Sequence, residues 1–357
     1  MAKKSFNTIV VKIGSSSLTT PQGKLDVPNL KRIASEVAEI VKNNKKRVVL
    51  VSSGAIVCGA ERLGLGKPKT IPQKQAAAAV GQSRLMRQYE KAFEESDLTV
   101  AQVLLTRDAI ADRERYLNAR HTFDTLLEEK VIPIVNENDT VAIDEIKVGD
   151  NDNLAALTSS LIGADLLIIL TDVDGFYMKN EEGIPYPVPE IKEISAEVKD
   201  AAGHPSSQLG TGGMITKVQA AEICSYAGTH LAIVHGRKEG LISKVIQGEK
   251  VGTLFVPKSD KTESRKRWLA HGLEKEGTII IDSGAESALL RKNTSLLPVG
   301  IKSIKGKFNA GALVAIADES EKEIARGLAN MSSEELQKAI GKKGVGEAVH
   351  RDNLVIL

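Results

Sequence analysis

The amino-acid sequence predicts an α/β protein: a mainly parallel sheet sandwiched by helices, followed by a small β-rich C-terminal domain. Three observations carry this expectation. Apolar runs at residues 8–13, 47–51, 99–104, 131–135, 166–170 and 231–234 are rich in Val, Ile and Leu without polar alternation, as strands buried on both faces are. Helix-forming stretches separate them, so strand and helix alternate to about residue 255. Beyond a dense mixed-charge stretch at 258–267, the pattern changes to short β-like runs divided by Gly and polar residues. The expected division is therefore residues 1–256, a charged linker at 257–276, and a module at 277–357.

The first run contains Lys12 and ends in Gly14, Ser15, Ser16 and Ser17. A lysine inside a buried strand is costly unless its ammonium reaches a partner, and the N–H groups of a small-residue turn can cradle phosphate. An edge-strand lysine reaching water is the competing reading. Next, Leu30, Ile33, Val37, Ile40 and Val41 share one helical face, with Lys31, Arg32, Glu36, Glu39 and Lys42 outside it and Pro28 in the first turn. The second run ends in Ser52, Ser53 and Gly54, the fourth in Asn136, Glu137, Asn138 and Asp139, and the fifth in Thr171, Asp172, Val173 and Asp174. All are polar turns at the carboxyl ends of strands, where ligands of parallel sheets bind.

Asp150, Asn151, Asp152 and Asn153 stand together ahead of a helix-like stretch at 154–161. Such short side chains orient ammonium groups, hold Mg2+ through water and receive a substrate amino group with little loss of rotamer freedom. The same residue types dominate ordinary turns, so the segment alone leaves a plain turn open. Gly210, Gly212 and Gly213 permit close backbone approach to phosphate, and Lys217 lies just inside the helical segment that follows. A flexible glycine linker is the alternative there. After Gly277 come β-like runs at 278–281, 299–304, 312–317, 323–329 and 349–356, interrupted by one helix with Ser332 and Glu335 as its capping box.

With 357 residues, 42% of them hydrophobic, the chain buries one large core and a smaller one. Its 48 Lys+Arg against 46 Asp+Glu leave +2, so no global charge argues for nucleic acid or an anionic membrane. Cys58 and Cys224, far apart, give neither a disulfide framework nor metal-ligand spacing. No apolar stretch approaches the ~20 residues of a membrane span, and the basic start leads into no signal-peptide cleavage site. A cytoplasmic location is expected. None of the glycine loops satisfies the P-loop or dinucleotide-binding pattern. Asp172 to Gly175 lacks EF-hand spacing, and His350, Arg351 and Asp352 lack the downstream Asn of a protein-kinase catalytic loop.

Taken together, residues 11–14, 52–55, 136–139, 148–153, Thr171 with Asp172, and 210–217 resemble the signature of the amino acid kinase superfamily, and within it most closely the glutamate 5-kinase family. Residues 79–84, 104–107, 112–120 and 265–268 match as well, and the chain from about 277 looks like a PUA module. The resemblance implies an amino acid kinase fold and Mg2+-dependent transfer of the ATP γ-phosphoryl group to the side-chain carboxylate of L-glutamate, the first step of proline biosynthesis. It implies that Lys12 contacts the β and γ phosphates, Lys217 stabilises the transferring group, and Asp152 holds both ammoniums. Glutamate would be gripped by Ser52, Asp139 and Asn151, with Asn136 and Asp150 shaping the pocket. ATP would be bound by Lys12, Gly14, Thr171, Asp172, Thr211, Gly212, Gly213, Met214, Ile215, Thr216 and Lys217. No protein ligand is assigned to the metal. Feedback inhibition by L-proline, a homo-oligomer (dimer or tetramer) and glutamate 5-phosphate reductase as a partner are further implications.

Three other readings compete. A sister kinase acting on aspartate, N-acetylglutamate, carbamate or a nucleotide is disfavoured by the loop at 136–139. An RNA-binding protein is disfavoured by the module at 277–357, where eleven Lys/Arg against ten Asp/Glu leave +1, a poor footprint for nucleic acid. A catalytically silent amino-acid sensor is disfavoured by the joint presence of Lys12, Asp152 and Lys217.

Overall fold

The computed structural model describes residues 5–106, 113–141, 151–180, 182–203, 213–258, 275–292, 294–342 and 344–356. The chain forms two compact units, Met1–Ser259 and Asp260–Leu357.

The first unit is a helix-covered sheet of eight strands in the order β3-β4-β2-β1-β5-β9-β10-β8. These are β1 (Thr8–Ile13), β2 (Arg47–Ser52), β3 (Val100–Leu105), β4 (Ile132–Glu137), β5 (Leu166–Thr171), β8 (Glu190–Ile191), β9 (His230–His235) and β10 (Thr253–Phe255). Strands β6 (Phe176–Lys179) and β7 (Pro185–Val188) form a separate hairpin that the sequence pattern did not announce. Neighbours from β3 through β9 are parallel, and β10 reverses direction against β9.

Side chains alternate between the faces of a strand, and the core follows that rule. Ile9, Val11 and Ile13 of β1 enter one apolar cluster with Leu30, Ile33 and Val37. Val10 enters another with Leu154, Ala155, Val218 and Ala221. Both faces are covered, which accounts for the absence of polar alternation in these runs.

Helices α1 (Ser15–Leu18), α2 (Val27–Asn44), α3 (Ala55–Leu63), α4 (Ile71–Glu94), α5 (Arg113–Glu128), α6 (Asn151–Leu161), α7 (Ala196–Ala202), α8 (Met214–Ala227) and α9 (Leu241–Ile246) complete this unit among the described residues. Helix α2 buries the apolar face read from the sequence. Its N-cap Asp26 accepts the Asn29 N–H at 3.1 Å, and Pro28 lies in the first turn, where no intrahelical donor is needed. Helix α6 begins at Asn151, not near Leu154, so the Asp/Asn cluster runs into the first turn of a helix.

The second unit carries the five-stranded sheet β12-β11-β13-β14-β15, with β11 (Gly277–Ile281) and β13 (Leu313–Ala317) parallel and the other pairs antiparallel. The remaining strands are β12 (Ile301–Lys305), β14 (Glu323–Ala329) and β15 (Val349–Ile356). Ile279, Ile281, Val314, Ile316, Phe308 and Leu336 form its core. Helix α10 (Ser283–Lys292) departs from the expectation of a single helix, because its apolar residues are too few to impose a long period. The run at 299–304 is also divided: a 3-10 turn at Pro298–Gly300 precedes β12. Helix α11 (Ser333–Ala339) starts with the full Ser332/Glu335 capping box.

Candidate active site

Lys12 lies in the middle of the sheet. Its strand pairs with β2 on one side and β5 on the other, with Lys12 opposite Val51 and Ile169, so the edge-strand reading does not hold. Sharing a face with Val10, Lys12 projects toward helix α6. There its Nζ meets Asp152 Oδ1 at 2.6 Å. Lys217, in the first turns of α8, places its Nζ 3.1 Å from Asp152 Oδ2. Asp152 is fully buried and both lysines are 5% exposed.

A buried carboxylate is tolerable only when paired and hydrogen-bonded, and several features meet that need. Asp152 sits in the first turn of α6, where the helix dipole favours negative charge. The Thr216 hydroxyl lies 3.0 Å from Asp152 Oδ2 and 2.8 Å from the Gly213 carbonyl oxygen, and its single proton serves one of them at a time. Gly14 closes the turn after β1: its N–H donates to the Leu170 carbonyl at 3.0 Å, and a Cβ there would stand 2.8 Å from that oxygen. Thr171, at the end of β5, donates to Asp172 Oδ1 at 3.0 Å, and Asp172 is exposed. Met214 and Ile215 open α8 beyond its N-cap Gly213.

A second group of side chains joins the ends of β2 and β4. Asn151 Nδ2 faces the Ser52 carbonyl oxygen (2.8 Å), the Ser53 hydroxyl oxygen (3.1 Å) and Asn136 Oδ1 (3.1 Å). Asn136 Oδ1 also accepts the Glu137 N–H at 2.9 Å, while its Nδ2 donates to Gln82 Oε1 at 2.8 Å. Burial pushes the Asp139 carboxyl up to about 6. Burial, reinforced by the charge of Asp139, pushes Glu137 up to about 7.

The Ser52 side chain is sealed inside. Its hydroxyl donates to the Ser53 carbonyl oxygen at 2.9 Å and lies 2.7 Å from the hydroxyl of Tyr89, which is equally buried. With the Ser52 proton on the carbonyl, the tyrosine is the donor between the two hydroxyls. Burial raises the Tyr89 pKa well above its ordinary value, so it keeps that proton. Ser53, the next residue of this turn, is only half-buried. Ser53, Glu137 and Gln82 lie within motifs read from the sequence but were given no role at the site, and Tyr89 lay outside those motifs, seven residues from Gln82 on one face of a helix.

Asp150, Thr211 and Gly212, also expected at the site, lie outside the described residues, as does the Arg265 to Trp268 motif. Cys58 and Cys224 are buried free thiols, with burial raising the Cys58 pKa to about 11, so neither is poised for reaction.

Comparison with known proteins bears on this arrangement. The amino acid kinase family model matches residues 7–235 and the PUA domain model matches 277–351. The glutamate 5-kinase of Geobacter sulfurreducens is 47% identical over 98% of this chain and 97% of its own length. That of Moorella thermoacetica is 45% identical over 100% of this chain and 98% of its own. The chain belongs to the glutamate 5-kinase family. Among solved structures, carbamate kinase from Giardia lamblia bound to AMP-PNP superposes with a TM-score of 0.52 at 20% identity, covering 71% of this chain and 99% of that one. That likeness speaks for the shared amino acid kinase fold alone. Membership of the glutamate 5-kinase family extends through the C-terminal PUA domain, since the relatives match over both units.

Proposed function

We propose that this chain transfers the γ-phosphoryl group of ATP to the side-chain carboxylate of L-glutamate, giving L-glutamate 5-phosphate, the first step of proline biosynthesis. The observation that carries the reading is the convergence of Lys12 and Lys217 on Asp152 at the strand ends, in a chain that matches glutamate 5-kinases from end to end. A carboxylate nucleophile is ionised at neutral pH, so no general base is required. The difficulty is bringing two anions together and stabilising charge on the group in flight.

Lys12 serves the β and γ phosphates and Lys217 the transferring group, with Asp152 fixing both ammoniums so that little reorganisation is left for the transition state. Gly14, Thr171, Asp172 and the segment Thr211 to Lys217 bind ATP. Asp139 pairs with the α-ammonium of glutamate, while Asn136, Asp150 and Asn151 shape its pocket. For the hydroxyl contact, Ser53 takes the place of Ser52, whose side chain is sealed beneath Tyr89. Among the described residues no three His, Cys, Asp or Glu side chains gather as a metal cage. Mg2+ enters with ATP, held by phosphate oxygens and water, as suits an ion that dehydrates reluctantly.

L-Proline, sharing the α-groups of glutamate, acts as feedback inhibitor at the amino-acid side. The chain works as a homo-oligomer in the cytoplasm and hands its product to glutamate 5-phosphate reductase. No helix among the described residues is long and apolar enough to cross a membrane. The direct test is turnover with ATP, Mg2+ and L-glutamate, trapping the acyl phosphate with hydroxylamine. Hydroxamate should form with glutamate and far less with L-aspartate or N-acetylglutamate, whose blocked amine cannot pair with Asp139. Equal turnover of N-acetylglutamate would sink the assignment.

A further inference from the structure

Helix α4 brings one polar side chain to the amino-acid side of the site whose hydrogen bonding is only half used. Gln82 Oε1 accepts from Asn136 Nδ2 at 2.8 Å. Its Nε2 is buried and has no hydrogen-bond partner among the described residues. The orientation of both amides is dictated by their neighbours. Asn136 Oδ1 faces two donors, the Glu137 N–H and Asn151 Nδ2, so Nδ2 must be the atom that turns to Gln82, and Gln82 must answer with its oxygen. The Gln82 Nε2 donor is thereby turned away from Asn136, beside the group that links the ends of β2 and β4. A buried donor is costly unless an acceptor is supplied.

The substrate of the reaction proposed above has such an acceptor. Glutamate presents two carboxylates, of which the side-chain one faces the lysines. The α-carboxylate must be held by neutral donors that do not compete for Lys12 and Lys217. Ser53 accepts from Asn151 and so has its own proton to give. Gln82 is a second neutral donor beside Asn136, and its Nε2, unlike Asn151 Nδ2, is not engaged by another described residue. We infer that Gln82 is a substrate-binding and specificity-determining residue: it donates from Nε2 to the α-carboxylate of the amino acid while its Oε1 holds Asn136 in place. This rests on the kinase reading given above.

The test compares Gln82→Met and Gln82→Glu with the full-length wild type, using L-glutamate, ATP, and 4-aminobutyrate, which is glutamate without its α-carboxylate, as a competing ligand. The glutamate variant keeps an acceptor for Asn136 but puts a repelling charge in place of the donor. The expected result is a rise of roughly 10- to 100-fold in KM for glutamate, larger for Gln82→Glu. In Gln82→Met, which also takes from Asn136 the acceptor it has in Oε1, the rise in KM for glutamate should exceed the rise in Ki for 4-aminobutyrate by roughly tenfold, and the KM for ATP should stay within about threefold. Thermal melting of each variant reports whether it is folded. A glutamate KM within twofold of wild type, or equal weakening of glutamate and 4-aminobutyrate, would overturn the inference, the second outcome showing that Gln82 acts only through Asn136. Absence of glutamate turnover in the wild type would overturn the kinase reading itself, and this inference with it.

Discussion

At the scale of single residues, two lysine ammoniums converge on one buried carboxylate, the arrangement proposed to serve phosphoryl transfer. Replacing Lys217 by Ala should lower kcat roughly 10²- to 10³-fold, the loss typical of a charge-stabilising donor, with the KM for glutamate little changed. Steady-state kinetics would check this, and near-normal turnover would show that the phosphoryl group is held elsewhere. Asp139 gives a pH signature. Its carboxyl titrates at about 6 in the fold, above the ~3.9 of a free aspartate, so the folded chain takes up this proton more readily than the unfolded one. The contribution to stability therefore falls as pH rises from about 4 through 6 and stays low above that. Asp139→Asn should melt at a higher temperature than wild type at pH 8, with the difference closing toward pH 4. Activity should run the other way: as pH drops below about 6, protonated Asp139 loses its attraction for an ammonium, and the wild-type KM for glutamate should climb. A pH-independent KM between 5 and 8 would remove Asp139 from that role.

At the scale of elements, the position of helix α4 depends on bare backbone. A Cβ on Gly81 would stand 1.7 Å from the Ala55 carbonyl oxygen, and one on Gly59 would stand 1.7 Å from that of Ala77. Helices α3 and α4 thus approach closely enough for α4 to lay Gln82 against Asn136 and Tyr89 against Ser52. Gly81→Ala should force the helices apart and cost about 1–3 kcal/mol or more, as overpacking does, measurable by urea titration. Any folded fraction should show a raised KM for glutamate with the KM for ATP unaffected, because Lys12 and Lys217 are carried by β1 and α8 instead. Wild-type stability in Gly81→Ala would mean that the two helices separate without cost. Tyr89→Phe, which removes only the hydroxyl given to Ser52, should have a milder effect of the same kind, a few-fold in KM.

The whole molecule consists of two units, each with its own core. The residues proposed for catalysis belong to the first. A chain ending near Glu276, leaving the Arg265 to Trp268 motif in place, should therefore fold and still phosphorylate glutamate. Its sensitivity to proline, its Mg2+ requirement or its oligomer distribution would carry the mark of the missing PUA domain. A truncated protein that is folded and binds ATP but has no turnover would place part of the active site in the second unit. In the intact protein, millimolar proline should raise the apparent KM for glutamate more than that for ATP.

What the sequence determined by itself was everything set by short-range periodicity and local chemistry. Continuous apolar runs mean strands buried on both faces, the face of α2 follows from its spacing, and the Ser332/Glu335 pair marks the start of α11, because each depends on residues within a turn or two of one another. The polar strand ends, and the motifs that resemble the amino acid kinases, were legible for the same reason. Only the tertiary structure decided that Lys12 belongs to a central strand, that Asp152 lies in a helix turn, and that Ser52 is closed off while Ser53 stays half-buried; the pairing of Asp152 with both lysines was implied by the resemblance and is met in the fold. It alone brought Gln82 and Tyr89 to the site. A side chain's hydrogen-bond partner is fixed by which distant elements pack together, and neither the spacing of residues nor their composition carries that information.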